Sequence, residues 1–212
     1  MDKNILLPHE IEMRSFDIIT EEIGDRELIP EQAPIIKRVI HTSADFDYLD
    51  NLVFKGNAVQ SGLEALKQRA TIVTDTNMAL SGINKSALSA LGCNALCYIA
   101  DGEVSALAKE RGTTRAQISM EKSAELKGPV IYAIGNAPTA LMALKRMTDE
   151  GTINPALIIA VPVGFVNVVE SKEEILKTSV PIIAARGRKG GSNVAAAICN
   201  ALLYMITREA VS

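Results

Sequence analysis

The stretch PVIYAIG, residues 129–135, runs on through NAPTALMALKRMTDE (136–150) into ALIIAVP (156–162). It contains a continuous apolar run, a polar Gly-Asn turn, a helical pattern opened by Pro138, and a second continuous apolar run. Apolar runs without alternation mark strands covered on both faces, as in a parallel sheet. Strand, helix, strand is the βαβ unit. Working outward, the pattern repeats on both sides. ATIVTD (70–75) and NALCYIAD (94–101) come before it and VPIIAAR (180–186) after it. Helical patterns fall over 76–91, 104–127, 137–150 and 170–178, and a last helix is expected over 192–207. Five strands are too few for a closed eight-stranded barrel. The expected fold is α/β: an open, mostly parallel five-stranded sheet with helices on both faces, plus two N-terminal helices over 8–24 and 30–44. Pro8 suits a first helical turn, Gly24 stops the first helix, and Pro34 must lie in the first turn of the second. An extended piece over 48–54 and a helix over 56–69 lead into the sheet. The final helix, NVAAAICNALLYMI, is apolar almost all round. Such a helix is buried, either centrally or at a subunit interface.

Composition narrows the function. At 212 residues the chain reads as a single domain, 1–212, and 48% apolar residues allow a substantial core. A formal charge of −3 argues against a general nucleic-acid binder, and 4% aromatic residues with no Trp argue against base stacking. No apolar run approaches the roughly 20 residues of a membrane span. The N-terminus, MDKNILLPHEIEMRS, lacks the apolar core of a signal peptide. Cys93, Cys97 and Cys199 make an odd number without CxxC spacing, which reads as a reduced, cytoplasmic protein. Two histidines, His9 and His41, cannot supply a His-rich metal cluster, so no protein-held metal is expected.

The unusual residues cluster just after strand ends: Thr74-Asp75-Thr76, Asp101-Gly102, Gly135-Asn136, Pro162 to Phe165, and RGRKGGSN over 186–193. In open α/β sheets, ligands bind at the carboxyl ends of the strands. The plain alternative is that βα turns favour these residues to turn the chain and cap helices. RGRKGGSN places three cations in a Gly-rich turn that opens a helix, which fits carboxylate or phosphate recognition. It lacks both P-loop and GxGxxG spacing. His41 is the one good acid/base candidate, since imidazole gives and takes protons near neutral pH. Its plain alternative is a helix-capping role. No GxSxG elbow offers a nucleophile, and Cys97 and Cys199 fall in apolar elements. Thr113 or Thr114 caps a helix, and Arg115 in its first turn opposes the helix dipole, which points to an anionic partner or a solvated surface position.

Several blocks together carry a resemblance: RSF (14–16), RVIHTSAD (38–45), TDTNMALSGI (74–83), CYIAD (97–101), TTRAQISME (113–121), IGNAPTAL (134–141), VPVGFVNVVESKE (161–173) and RGRKGGSNVAAAICNAL (186–202). Nearly end to end, the chain resembles the precorrin-8X and cobalt-precorrin-8 methylmutases of corrinoid (vitamin B12) biosynthesis. The resemblance implies an open α/β sandwich and a homodimer with the substrate near the subunit interface. It implies an isomerase that shifts a methyl group between adjacent carbons of ring C, giving hydrogenobyrinate from precorrin-8X or cobyrinate from cobalt-precorrin-8. No cofactor is implied; cobalt, where present, belongs to the substrate. The family's acid/base histidine matches His41, its substrate-contacting serine matches Ser15, and Arg115 is carried as a site residue.

The residues add their own expectations. Thr76 and Asn136 follow from strand-end placement. A carboxylate-rich substrate on a net acidic protein calls for a local basic surface, for which Arg14, Arg38, Arg115, Arg186, Arg188 and Lys189 are available. Met78, Leu80, Val163 and Phe165 are candidate apolar walls. Protonation of the macrocycle by His41 would lower the barrier to migration, and the proton would then return. Two rivals stay open: a non-catalytic corrinoid carrier, and a nucleotide-dependent transferase using the 186–193 turn.

Overall fold

In a computed structural model that describes residues 7–207, the apolar runs become strands β2 (Thr71–Thr74), β3 (Asn94–Leu96), β4 (Val130–Ile134), β5 (Leu157–Ala160) and β6 (Ile182–Ala185). Asp2 of the N-terminal stretch lies outside the described residues. The sheet holds six strands where the sequence reading expects five. The additional one, β1 (Leu52–Lys55), lies in the expected extended piece, after Tyr48–Asn51 close a single helical turn, α3. It pairs antiparallel with β6, Leu52 opposite Ala185, so it edges an otherwise parallel sheet. Its apolar run is only Leu52 to Phe54 and follows the polar Asp50-Asn51, so the sequence marks an extended piece without showing that it joins the sheet. NALCYIAD also shortens: only 94–96 pairs with β2, and Cys97 onward is loop.

The spatial order is β1-β6-β5-β4-β2-β3. Successive side chains point to opposite faces, so each parallel strand feeds two cores. Ile72, Ile131, Ile159 and Ile183 face one core, shared with α2 (Ala33–Ser43), α4 (Ala58–Lys67), α5 (Asn77–Gly82), α6 (Lys85–Ala90) and α11 (Ser192–Thr207). Val73, Tyr132, Ile158 and Ile182 face the other, covered by α8 (Arg115–Lys122), α9 (Pro138–Asp149) and α10 (Val168–Ile175). Two expected helices are each split by a cap. Asn84 accepts from the Ala87 N–H and opens α6, while Gly112, at φ 61°, separates α7 (Gly102–Glu110) from α8. Helix α1 (Pro8–Ile23) crosses α2 and ends at Gly24, as its proline and glycine predict.

Helix α11 packs against α2, α4, α5 and α6 and lies under β4 and β5. Its all-round apolar surface is therefore explained by a central position. Burial pushes the Cys199 thiol up to about 12, so this cysteine is packing material. Among the described residues no helix is long and apolar enough to cross a membrane.

From β2 the chain moves outward to β3; from β4 it moves the opposite way to β5. The strand order reverses between β2 and β4, and in open α/β sheets ligands bind at the carboxyl ends beside such a reversal.

Candidate functional site at the carboxyl edge of the sheet

Thr74-Asp75-Thr76 and Gly135-Asn136-Ala137 lie at the carboxyl ends of β2 and β4, on either side of that reversal. Asp75 is 1% exposed and accepts N–H bonds from Gly135 (2.9 Å), Asn136 (2.8 Å) and Ala137 (2.7 Å). Burial pushes its carboxyl pKa up, and the three N–H donors act against that shift. The carboxylate thereby fixes the β4–α9 turn and leaves Asn136 exposed at its crest. Thr76 caps α5 by accepting from the Ala79 N–H and shares a 2.8 Å hydroxyl hydrogen bond with Ser192.

Ser192 opens α11, and glycines bring it there. A Cβ on Gly135 would stand 2.7 Å from Ser192 Cα. Gly190 has φ 155°, and a Cβ on it would stand 2.1 Å from the Val161 carbonyl oxygen. The Gly191 N–H donates to that same oxygen at 2.9 Å. Three strand ends thus interlock by backbone, and only glycine permits the approach.

The basic turn 186–191 wraps over this junction. Beneath it lies Lys172, fully buried, whose Nζ donates to the carbonyls of Gly187 (2.9 Å) and Lys189 (2.8 Å). The Arg188 guanidinium lies 5.2 Å from the centroid of the Phe165 ring, which is 80% exposed. Arg186 is exposed and reaches Glu173 at 3.6 Å. Lys189 pairs with Asp45 (2.7 Å) and Asp47 (2.5 Å), which hold its ammonium pKa up. Its charge is thereby partly answered within the protein. The same pairs draw the turn against the segment that follows α2.

His41 sits in the last turn of α2, exposed, with its imidazole stacked on Phe16 of α1 at 5.3 Å between centroids. Arg38, one turn earlier, lies 5.0 Å from the Phe16 centroid and 4.7 Å from that of Tyr204, and bonds Glu12 at 2.9 Å. Arg38, His41, Gly82, Asn193, Ala196 and Asn200 line a 200 Å³ cavity between α2 and the start of α11. The imidazole and the α11 N-terminus therefore share one space.

The remaining expected residues lie on α1, α5, α8 and the segment between β5 and α10. Ser15 is half-buried on α1, beside Phe16, and donates to the Ile11 carbonyl. Arg14 is exposed. Thr114 caps α8 and bonds the Thr139 hydroxyl at 2.8 Å, which sets the first turn of α8, with exposed Arg115, beside the first turn of α9. Met78, Val163 and Phe165 stand exposed around the edge, whereas Leu80 lines a separate 580 Å³ cavity along α5, α6 and β3. Sequence reasoning missed Lys172 and Asn200. For Lys172 a signal existed: Val168, Lys172 and Ile175 fall at i, i+4 and i+7, on the buried stripe of α10.

Residues 10–205 match the family model described as precorrin-8X methylmutase. The chain belongs to the precorrin-8X methylmutase family. It is 46% identical to the cobalt-precorrin-8 methylmutase of Salmonella typhimurium, with 96% of this chain and 97% of that protein covered. It is 46% identical to the one from Priestia megaterium, over 92% of this chain and 87% of that protein. To the precorrin-8X methylmutase of Pseudomonas aeruginosa it is 41% identical, over 89% and 91%. The crystal structure of the precorrin-8X methylmutase from Thermus thermophilus superposes with a TM-score of 0.86 at 38% identity, covering 93% of this chain and 95% of that one. This methylmutase is an isomerase of cobalamin biosynthesis, and the nucleotide-transferase reading of its basic turn falls away.

Proposed function

We propose that this methylmutase moves the ring C methyl group of cobalt-precorrin-8 to the adjacent ring carbon, giving cobyrinate, with His41 as general acid and base. Relatives at 44–46% identity carry the name of the cobalt substrate, while both names occur at 41% and below, which favours that form over precorrin-8X. The reaction is an isomerisation, so no methyl donor or redox cofactor is consumed; the cobalt is part of the substrate. With cobalt on the ring nitrogens, the proton from His41 goes to the carbon framework or a peripheral group. It draws electron density from the carbon that receives the methyl and returns to the imidazole afterwards. Such help is worth roughly 10²–10⁴-fold. Orienting the ring for migration does the rest.

The observation that carries this reading is the stacked His41 imidazole, open to solvent in the same cavity as the start of α11. That cavity, 200 Å³, lies below the roughly 300–1,000 Å³ of ordinary small-molecule sites. A tetrapyrrole therefore lies across the open edge, over Thr76, Asn136 and Ser15, with Arg14, Arg115, Arg186, Arg188 and Lys189 available to its carboxylates. The exposed apolar side chains Leu7, Ile11 and Ile18 of the α1 side and Val163, Phe165 and Val166 of the edge want a cover. A second copy of the chain supplies it, closing the site near the interface of a homodimer. Free Cys93, Cys97 and Cys199 suit a reducing cytoplasm.

Visible absorption tests the reading, because migration changes the conjugation of the macrocycle. The pure protein is incubated with cobalt-precorrin-8 and separately with precorrin-8X. Conversion, faster for the cobalt form, is the expected result. Tight binding of both without conversion would make the protein a carrier and end the isomerase assignment.

A further inference from the structure

Lys172 is fully buried, yet among the described residues no carboxylate lies within ion-pair distance of it. A buried cation without a counter-charge is unfavourable unless its hydrogen bonds are put to use. Its Nζ bonds two carbonyls of one turn, Gly187 and Lys189. Burial lowers the amine to about 8, so the ammonium still predominates at neutral pH.

The consequence lies on the other side of the turn. In a trans peptide the C=O and N–H point in opposite directions, and no peptide of the described chain is cis. Each carbonyl held inward by Lys172 therefore turns the next N–H outward. Those N–H groups belong to Arg188 and Gly190. Neither has an acceptor among the described residues. The carbonyl between them, on Arg188, is occupied by the Gly164 N–H at 3.2 Å. Every carbonyl of 187–189 is thus held, while two N–H groups stand unused on the face away from Lys172. Arg186 and Arg188 are exposed beside them. Unpartnered backbone N–H groups beside positive charge bind anions.

We propose that Lys172 is a positioning residue, which holds the 186–191 turn so that the Arg188 and Gly190 N–H groups each stand free to receive a carboxylate oxygen of the corrinoid. The inference rests on the methylmutase reading and names how that site grips its substrate. Lys172 itself touches no substrate atom. Its ammonium shapes the seat from behind and adds to the field that draws the carboxylate in.

The test compares the wild type with Lys172→Met, an unbranched apolar side chain of similar length, on two ligands: the corrinoid product and the same corrinoid with its carboxylates converted to amides. In the variant, KM for substrate and Kd for the acid product rise at least tenfold, kcat stays within about twofold, and Kd for the amidated corrinoid is unchanged. A merely structural lysine would weaken both ligands alike and lower kcat with them, and that outcome overturns the proposal, as does an unchanged Kd for the acid product. A second measurement needs no variant. In the wild type, the amide proton resonances of Arg188 and Gly190 move downfield with the acid product and stay in place with the amidated one. Unmoved resonances overturn the seat even where the variant does not fold. Wild-type turnover is the separate control. Its absence sinks the methylmutase reading, whereas turnover with an indifferent Lys172→Met sinks only the role of Lys172.

Discussion

The Phe16 ring and the His41 imidazole stack with planes 9° from parallel and centroids 5.3 Å apart. They come from different helices, α1 and α2, which Arg38 fastens by lying against Phe16 while bonding Glu12. An aromatic pair at this separation contributes about 0.5–1.5 kcal/mol beyond its buried area. Here that energy holds the imidazole of the proposed acid in one orientation.

Phe16→Leu should therefore slow single-turnover conversion by about tenfold while leaving product affinity nearly intact, because a freely rotating imidazole spends less time aligned. His41→Ala should slow it by roughly 10²–10⁴-fold, again with product still bound. Rapid-mixing absorption measures both. Full rate in His41→Ala would end the acid role, and full rate in Phe16→Leu would show that the stack does not orient the imidazole.

Asp75 answers three backbone N–H groups with one carboxylate. An asparagine offers one acceptor oxygen and turns an NH₂ toward donors. Hydrogen bonds to charged groups are worth about 1.5–3 kcal/mol each. Asp75→Asn should lower the unfolding free energy by more than about 3 kcal/mol, read from the urea midpoint, and loosen the Asn136 turn. A wild-type midpoint would mean that the three bonds do not matter to the fold.

Gly190 and Gly112 both have positive φ, but only Gly190 faces another backbone. Gly112→Ala should cost about 1 kcal/mol, the strain of a left-handed residue with open space around it. Gly190→Ala cannot keep the same backbone, since its Cβ would sit 2.1 Å from the Val161 oxygen. The variant should be far less stable, or carry a displaced 186–191 turn with a raised KM. Thermal melts and steady-state kinetics of the pair decide it: equal losses would contradict the interlocked loops.

The buried Lys172 also predicts a pH dependence of stability. Its amine lies at about 8 in the folded protein against 10.5 when unfolded. Between those values the unfolded chain binds a proton that the folded one lacks, so this group's contribution rises with pH. Below pH 8 the buried charge opposes folding by its full amount, roughly 3 kcal/mol. The unfolding free energy of the wild type relative to Lys172→Met should grow by about that amount from pH 8 to 10.5. Parallel pH curves would show that the amine titrates normally.

Much of this was legible in the chain. Continuous apolar runs such as Ile131 to Ile134 specify a doubly covered parallel sheet, because such a run has no polar face to turn to water. Pro8, Gly24 and Pro34 mark helix ends by the backbone angles they impose. The placement of RGRKGGSN, Thr76 and Asn136 after strands puts them on one edge by chain direction alone. The place of β1 in the sheet was not legible, since one buried and three half-buried residues at an edge carry no periodic signature.

What the sequence determined by itself was local: which segments are strands and helices, which edge gathers the polar turns, and, through its motif blocks, the family. Tertiary structure alone decided the pairings. Lys189 meets Asp45 and Asp47 and Thr76 meets Ser192 across most of the chain, while His41 stacks on Phe16 and Lys172 holds the turn of residues 187–189 across shorter separations but between different elements. Such contacts depend on where the helices and turns come to rest against the sheet. Side-chain reach is only a few ångströms, so no spacing along the chain specifies them until the layers have packed.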